Sequence, residues 1–112
     1  MDKLITFAVP CYNSAAYMEH CVDTLLQGGS DIEIILVDDG STKDDTPAIC
    51  DRYQEQYPDI VRAIHQPNGG HGEGVNQGIR NARGIYYKVV DSDDWVDVPA
   101  LHKALDLSLI HI

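Results

Sequence analysis

The sequence predicts an α/β fold, a mainly parallel sheet with flanking helices. Two observations predict it. Short apolar runs of strand length alternate with stretches whose apolar residues recur at helical spacing. Strands that alternate with helices at this spacing imply parallel pairing through right-handed crossovers. A third observation concerns the connections: each unusual polar segment follows directly on a strand-like run. In parallel sheets ligands bind beyond the carboxyl ends of the strands, so these segments are expected to share one rim.

Leu4 to Val9 is an apolar run closed by Pro10, which predicts a buried first strand. Met18, Cys21, Val22, Leu25 and Leu26 then fall on one face of a helix. Asn13 or Ser14 is placed to cap its start, and Gly28-Gly29 to end it. Ile32 to Val37 predicts the second strand. Thr46-Pro47 opens the second helix, with proline at a favoured first position. Its inner face is expected to be Ile49, Cys50, Tyr53 and Tyr57, with Pro58-Asp59 as the stop. Ile60 to His65 is a weaker third strand. The glycine-rich turn Asn68 to Gly74 follows, then a short helix with Val75, Ile79 and Ala82 inward. Gly84 ends that helix. Ile85 to Val90 reads as a buried fourth strand, and Pro99 starts a further helix.

The 112 residues suit one small domain, and 44% hydrophobic with 23% charged residues is ordinary globular composition. A formal net charge of −10 argues against a nucleic-acid or anionic-membrane partner, since phosphate-backbone affinity comes from Lys and Arg. Cys11, Cys21 and Cys50 have no C-x-x-C spacing and read as reduced structural residues, which points to a cytoplasmic protein. No apolar run approaches the ~18 residues of a membrane span, and the N-terminus lacks signal-peptide character.

Four clusters sit at strand ends: Pro10-Cys11-Tyr12-Asn13, Asp38-Asp39-Gly40-Ser41, the glycine turn with His71, and Asp91-Ser92-Asp93-Asp94. The last is the most telling. Three carboxylates in four residues repel one another, and a hard divalent cation such as Mg2+ or Mn2+ neutralises them. Such ions commonly carry phosphates. It is no EF-hand, because Trp95 stands where Asp or Asn is needed. Asp38 and Asp39 can accept hydrogen bonds from a nucleobase or ribose, or simply form a turn. Tyr12 offers a flat surface for stacking a base, or packs at a helix entry. The glycine turn lacks both the Walker pattern and G-x-G-x-x-G, but can bring backbone close to a phosphate. Asp44-Asp45 reads as a solvated loop or helix start.

The chain resembles the family-2 glycosyltransferases of the GT-A fold, from about Leu4 to Pro99. The matching pieces are Val9-Pro10-Cys11-Tyr12-Asn13, Val37-Asp38-Asp39-Gly40-Ser41-Thr42, Asn76-Gln77-Gly78 with Ala82-Arg83-Gly84-Ile85-Tyr86, and Asp91-Ser92-Asp93-Asp94-Trp95. The resemblance implies a Rossmann-like nucleotide-diphospho-sugar-binding fold and transfer of a sugar to an acceptor with inversion. The donor is expected to be a UDP-sugar, and the acceptor a glycan, lipid or protein. Pro10 and Tyr12 would line the base pocket, with Asn13, Asp38, His71 and Asn76 also at the donor and Asp39 bonded to the base. Asp91 and Asp93 would be the D-x-D pair holding Mn2+ or Mg2+, with Asp91 nearer the ribose and Asp94 a competing ligand. Val75 departs from the basic residue usual there, leaving His71 or Arg80 to compensate. The family's catalytic base and acceptor site lie further along than this chain reaches. Residues 1–107 are therefore expected to be the donor-binding part. Residues 108–112 look unlike the family and resemble translated adapter DNA, so they are expected to be a non-native tail. The full-length protein would work in the cytoplasm or at the inner membrane face. Two rivals are a nucleotidyltransferase of similar architecture and a non-catalytic nucleotide-binding domain. The first is disfavoured because Pro10-Cys11-Tyr12-Asn13 replaces the usual glycine-rich basic loop.

Overall fold

The computed structural model describes residues 3–40, 44–67, 76, 78, 80–93 and 98–111, with backbone alone at 104 and 106–111. Ser41, Thr42, the Asn68 to Gly74 turn with His71, Val75, Gln77, Ile79, Asp94 and Trp95 lie outside the described residues.

Strands β1 (Lys3–Cys11), β2 (Ile32–Asp39), β3 (Val61–Gln66) and β4 (Gly84–Val89) form one sheet in the order β3-β2-β1-β4. Every pairing is parallel, as the alternation of strands and helices predicts. β1 and β2 occupy the centre and are covered on both faces, which is why they read as nearly unbroken apolar runs. Phe7, Val9 and Cys11 of β1 and Ile32, Ile34 and Leu36 of β2 point to one face. There they meet α1 (Met18–Leu26) through Met18, Cys21, Val22 and Leu25, and α2 (Thr46–Gln56) through Ile49, Cys50 and Tyr53. Leu101 and Leu105 of α3 (Val98–His111) join the same cluster. Each fully buried aliphatic side chain contributes about 1.5–3 kcal/mol relative to exposure.

The opposite face buries Ala8, Ile35 and Val37. Asn76, Gly78, Arg80 and Asn81 have helical backbone. Gly78 is where this stretch meets the sheet: a Cβ there would lie 2.6 Å from the Ala8 Cβ and 2.5 Å from the Tyr87 hydroxyl. The glycine is needed for close approach. None of the helices among the described residues is long and apolar enough to cross a membrane.

Pro10 does not end β1. The strand continues to Cys11, with Pro10 opposite Val37 and Cys11 opposite Asp38. The Ala8 carbonyl accepts the Val90 N–H at 2.9 Å, so Ala8 and, two residues on, Pro10 turn their main-chain groups toward β4. β4 stops at Val89, and the N–H that proline lacks falls past that ladder. α1 has no side-chain cap; the Ser14 carbonyl instead accepts the N–H groups of Tyr17 and Met18 at 3.1 and 2.9 Å. Tyr57 is not on the inner face of α2. The helix ends at Gln56, and Tyr57 is exposed, its ring stacked on Tyr53 at 6.4 Å. Ile60 lies in the turn before β3. β4 is not a buried strand either. Among the described residues it is an edge with β1 as its neighbour, and Ile85 and Tyr86 are 61% and 50% exposed.

One buried charge has no counterpart among the expectations. Glu33, in the middle of apolar β2, has no exposed side-chain surface. Its Oε1 accepts the Arg83 N–H at 2.8 Å and the Thr6 hydroxyl at 3.0 Å, and its Oε2 accepts Arg83 Nε at 2.5 Å. Burial pushes the Glu33 carboxyl up, but the hydrogen bonds from Arg83 and Thr6 outweigh it and hold the group below its ordinary value.

Candidate functional site

Because all strands are parallel, the carboxyl ends of β1, β2 and β4 open on one edge of the sheet. That edge carries Tyr12 and Asn13 after β1, Asp38 and Asp39 at the end of β2, and Asp91 and Asp93 after β4. Pro10 is half-buried within β1, and the Tyr12 ring is 46% exposed. Asn13 has φ +48°, a conformation that asparagine tolerates better than most residues, so the tight turn itself accounts for its identity. Asn76 is exposed in the helical stretch on the far face of the sheet.

Asp38 and Asp39 are both buried. Their neighbours come from the end of β3, where parallel register sets Asp38 opposite His65 and Asp39 opposite Gln66. Asp38 Oδ2 lies 2.8 Å from His65 Nδ1, and the other ring nitrogen lies 2.7 Å from Asp51 Oδ1 on α2. Hydrogen bonds to Asp38 and Asp51 raise the His65 pKa above its ordinary value. Gln66 Nε2 donates to Asp39 Oδ1 at 2.9 Å, while Gln66 Oε1 is buried with no hydrogen-bond partner among the described residues. Gly40, the next residue, has φ +69°, a conformation that glycine adopts without strain. His65 and Gln66 escape sequence reading because their relevance depends on register. The signal that could find them is their position as the last residues of the strand beside Asp38 and Asp39.

A second polar network lies beneath the rim. Ser14 Oγ accepts the Tyr12 N–H at 3.0 Å and sits 2.9 Å from Ser92 Oγ, between the two carboxylates of the D-S-D segment. The Ser14 N–H donates to Thr46 Oγ1 at 2.7 Å, and that hydroxyl donates to Asp44 Oδ1 at 2.6 Å. Asp44 also accepts the N–H groups of Thr46 and Ala15, each at 3.0 Å. Asp44 is thus a structural anchor rather than a solvated loop residue, and the hydrogen bonds from Thr46 hold its carboxyl below the ordinary range.

Asp91 and Asp93 are exposed, and they flank the buried Ser92. The Cys21 thiol lies 3.6 Å from the Asp91 carbonyl, fixing the backbone of the segment from α1. Cys11, Cys21 and Cys50 are buried and unbridged. Among the described residues no group of three His, Cys, Asp or Glu side chains converges as a metal cage. Two rim carboxylates instead fit the chemistry of a hard cation that takes its remaining ligands from phosphate and water. Asp94, the competing ligand, lies outside the described residues, as does His71.

Residues 6–108 match the model of the family described as glycosyl transferase family 2. The glycosyltransferase GlyG of Streptococcus pneumoniae is 48% identical over 98 residues, 86% of this chain and 32% of that protein. Chondroitin synthase of Escherichia coli is 38% identical over 104 residues, 92% of this chain and 15% of that protein. The chain therefore spans a third or less of the length of these relatives. The crystal structure of S. aureus TarS 1-349 in complex with UDP-GlcNAc superposes with a TM-score of 0.82 at 27% identity, over 96% of this chain and 32% of TarS 1-349. The mannosyltransferase PcManGT from Pyrobaculum calidifontis, in complex with GDP-Man and Mn2+, gives 0.79 at 27% identity, over 94% of this chain and 32% of that one. The sheet with its flanking helices is the GT-A fold of these neighbours. With the family match running from within β1 into α3, the chain belongs to glycosyl transferase family 2.

Proposed function

We propose that this chain is the donor-binding part of an inverting glycosyltransferase that takes a UDP-sugar. The observation that carries this reading is the gathering of Tyr12, Asp39 and the Asp91 and Asp93 pair on one carboxyl edge of a sheet that superposes on TarS complexed with UDP-GlcNAc. Tyr12 presents its exposed ring as a stacking surface for the base. Asp39 accepts the ring N–H, its carboxylate oriented by Gln66. Pro10, Asn13, Asp38, His71 and Asn76 complete the donor side. Asp91 and Asp93 would hold Mn2+ or Mg2+, with Asp93 the direct ligand and Asp94 competing with it for that role. When bound, such an ion supplies Lewis-acid stabilisation of the leaving diphosphate. PcManGT, which carries Mn2+ with GDP-Man, lends support to metal use. The base that deprotonates the acceptor is assigned to a part of the enzyme outside these 112 residues. Residues 1–107 form the donor-binding part, and the enzyme acts on a glycan, lipid or protein in the cytoplasm or at the inner membrane face.

Calorimetric titration of the chain with UDP, in Mn2+ and in chelator, tests this. The expected result is tighter binding with metal, and loss of most of that difference in Asp93→Asn. Equal affinity under both conditions removes the ion from donor binding. Equal affinity for all four nucleoside diphosphates removes Asp39 as the base-reading group.

A further inference from the structure

We propose that the Ser14 and Ser92 hydroxyls form a positioning pair that couples the base-stacking side of the site to its metal-binding side. The proposal rests on the reading of Tyr12 as stacking surface and of Asp91 and Asp93 as ligands.

One hydroxyl oxygen meets the Tyr12 backbone and Ser92 together. Ser14 Oγ lies 3.0 Å from the Tyr12 nitrogen, 3.2 Å from the Tyr12 carbonyl oxygen and 2.9 Å from Ser92 Oγ. A serine hydroxyl has one proton and two acceptor lone pairs. The Tyr12 N–H takes one lone pair. The Ser14 proton goes to the Tyr12 carbonyl, with Ser92 then donating to the remaining lone pair, or to Ser92 Oγ at the shorter distance; in either arrangement this one hydroxyl joins the Tyr12 backbone to Ser92.

Both serines are buried, at 1% and 7% exposure, so water does not readily replace a lost partner. Ser14 is also held from behind. Its N–H is bonded to Thr46 Oγ1, and Thr46 is bonded to Asp44 at the head of α2. Ser14 cannot follow Ser92 if the D-S-D segment shifts without disturbing this chain. The turn bearing Tyr12 and the backbone between Asp91 and Asp93 thus share one rigid support. A ligand that orders one side leaves less ordering to be done on the other, which is positive coupling. Linkage makes it reciprocal: Mn2+ tightens UDP by the factor by which UDP tightens Mn2+.

The test is a double-mutant cycle on the 112-residue chain. UDP affinity is measured with and without Mn2+, and the ratio of the two is the readout. A residue that only supports the fold weakens both affinities and leaves the ratio alone. Ser14→Ala and Ser92→Ala are each expected to lower the ratio about fivefold, the worth of one hydroxyl hydrogen bond. The double variant should lower it no further, since both changes break the same bond. Ser92→Thr, which keeps a hydroxyl, should retain the ratio. Mn2+ affinity, followed by electron paramagnetic resonance with and without UDP, should change by the same factors. Thermal unfolding checks that each variant is folded. Should an alanine variant not fold, Ser92→Cys, whose thiol is a weaker hydrogen-bonding group of similar size, is compared with Ser92→Thr. Equal ratios in those two, or a wild-type ratio preserved in the alanine variants, overturn the coupling and leave the donor-site reading standing. A wild-type chain that binds no UDP, or binds it equally with and without metal, overturns both.

Discussion

Asp38 and His65 face each other across the β2–β3 ladder, Oδ2 to Nδ1 at 2.8 Å, at paired positions of the parallel register. Asp51 closes on the other ring nitrogen at 2.7 Å, so the imidazole lies between two carboxylates from two different elements. That arrangement favours the imidazolium and raises the His65 pKa from its ordinary 6.5, chiefly through the Asp38 bond and then the Asp51 bond. A group whose pKa is raised on folding stabilises the protein fully below its unfolded value. That contribution is lost as pH rises through the folded value. The thermal midpoint should therefore fall by a few degrees between about pH 6 and about pH 9, with the effect limited by the partial exposure of the ring. His65→Gln should flatten this part of the profile. Parallel pH profiles for the two proteins would show that the imidazolium adds nothing.

Asp39 and Gln66 make the corresponding pair one register step on, and their bond should matter to selectivity more than to stability. A buried acceptor discriminates because the wrong base leaves it unpaired. Asp39→Ala should reduce the preference for UDP over CDP by about tenfold. Gln66→Leu removes one donor from the Asp39 carboxylate, and should narrow the same preference by a smaller factor while leaving the metal ratio unchanged. Competition titrations with the two diphosphates measure both effects. An unaltered preference in Asp39→Ala would mean the base is read elsewhere.

Much of this architecture is legible in the residues. The helical spacing from Met18 to Leu25 exists because that face must meet β1 and β2, and all four of the residues Met18, Cys21, Val22 and Leu25 are buried. The placement of Tyr12 and Asn13, Asp38 and Asp39, and Asp91 and Asp93 at strand ends also carries over, since parallel strands place those ends on one edge. Boundaries are less legible. Pro10 reads as a terminator because proline interrupts a ladder, yet the ladder on its open side has already ended. Tyr57 fits the helical period but falls just past the last turn. Ile85 and Tyr86 look buried by composition, and only the sheet order reveals an edge. Hydrophobicity cannot report which strand lies outermost. Pairings between distant residues are the least legible. Ser14 and Ser92 are 78 positions apart, and nothing local marks either as the partner of the other.

Glu33 carries a prediction at acid pH. Its carboxyl is held below the ordinary 4.5, so its contribution is present above that value and lost as pH falls through the folded pKa. Wild-type stability should drop steeply below about pH 4.5, more steeply than in Glu33→Gln. At neutral pH the glutamine variant should be weaker by about 1–3 kcal/mol, because an amide cannot replace both the charge-assisted Arg83 bonds and the Thr6 bond. The Arg83 side chain is half exposed, which keeps the ionic part of that loss small. Urea unfolding at several pH values checks this. A glutamine variant as stable as wild type at neutral pH would make Glu33 dispensable.

Gly84 and Gly29 separate two reasons for glycine. A Cβ on Gly84 would lie 2.5 Å from the Thr6 nitrogen and 2.6 Å from the Ile5 carbonyl carbon. Both atoms belong to the backbone of a central strand, which cannot yield as a flexible side chain does. The Gly84 N–H also donates to Thr6 Oγ1 at 2.8 Å, so any shift of β4 loosens the Thr6 and Glu33 network as well. Gly29 has φ +76° with nothing within 4 Å of a Cβ, so substitution there meets only the backbone preference. Gly84→Ala should therefore cost about 3 kcal/mol or more, at the upper end of overpacking, whereas Gly29→Ala should cost about 1 kcal/mol. In thermal terms the first loses about 12 °C or more and the second about 4–8 °C. Unfolding curves of the two variants beside wild type measure the contrast. If the two losses are equal, the contact between the start of β4 and the Ile5 to Thr6 backbone is looser than this structure places it.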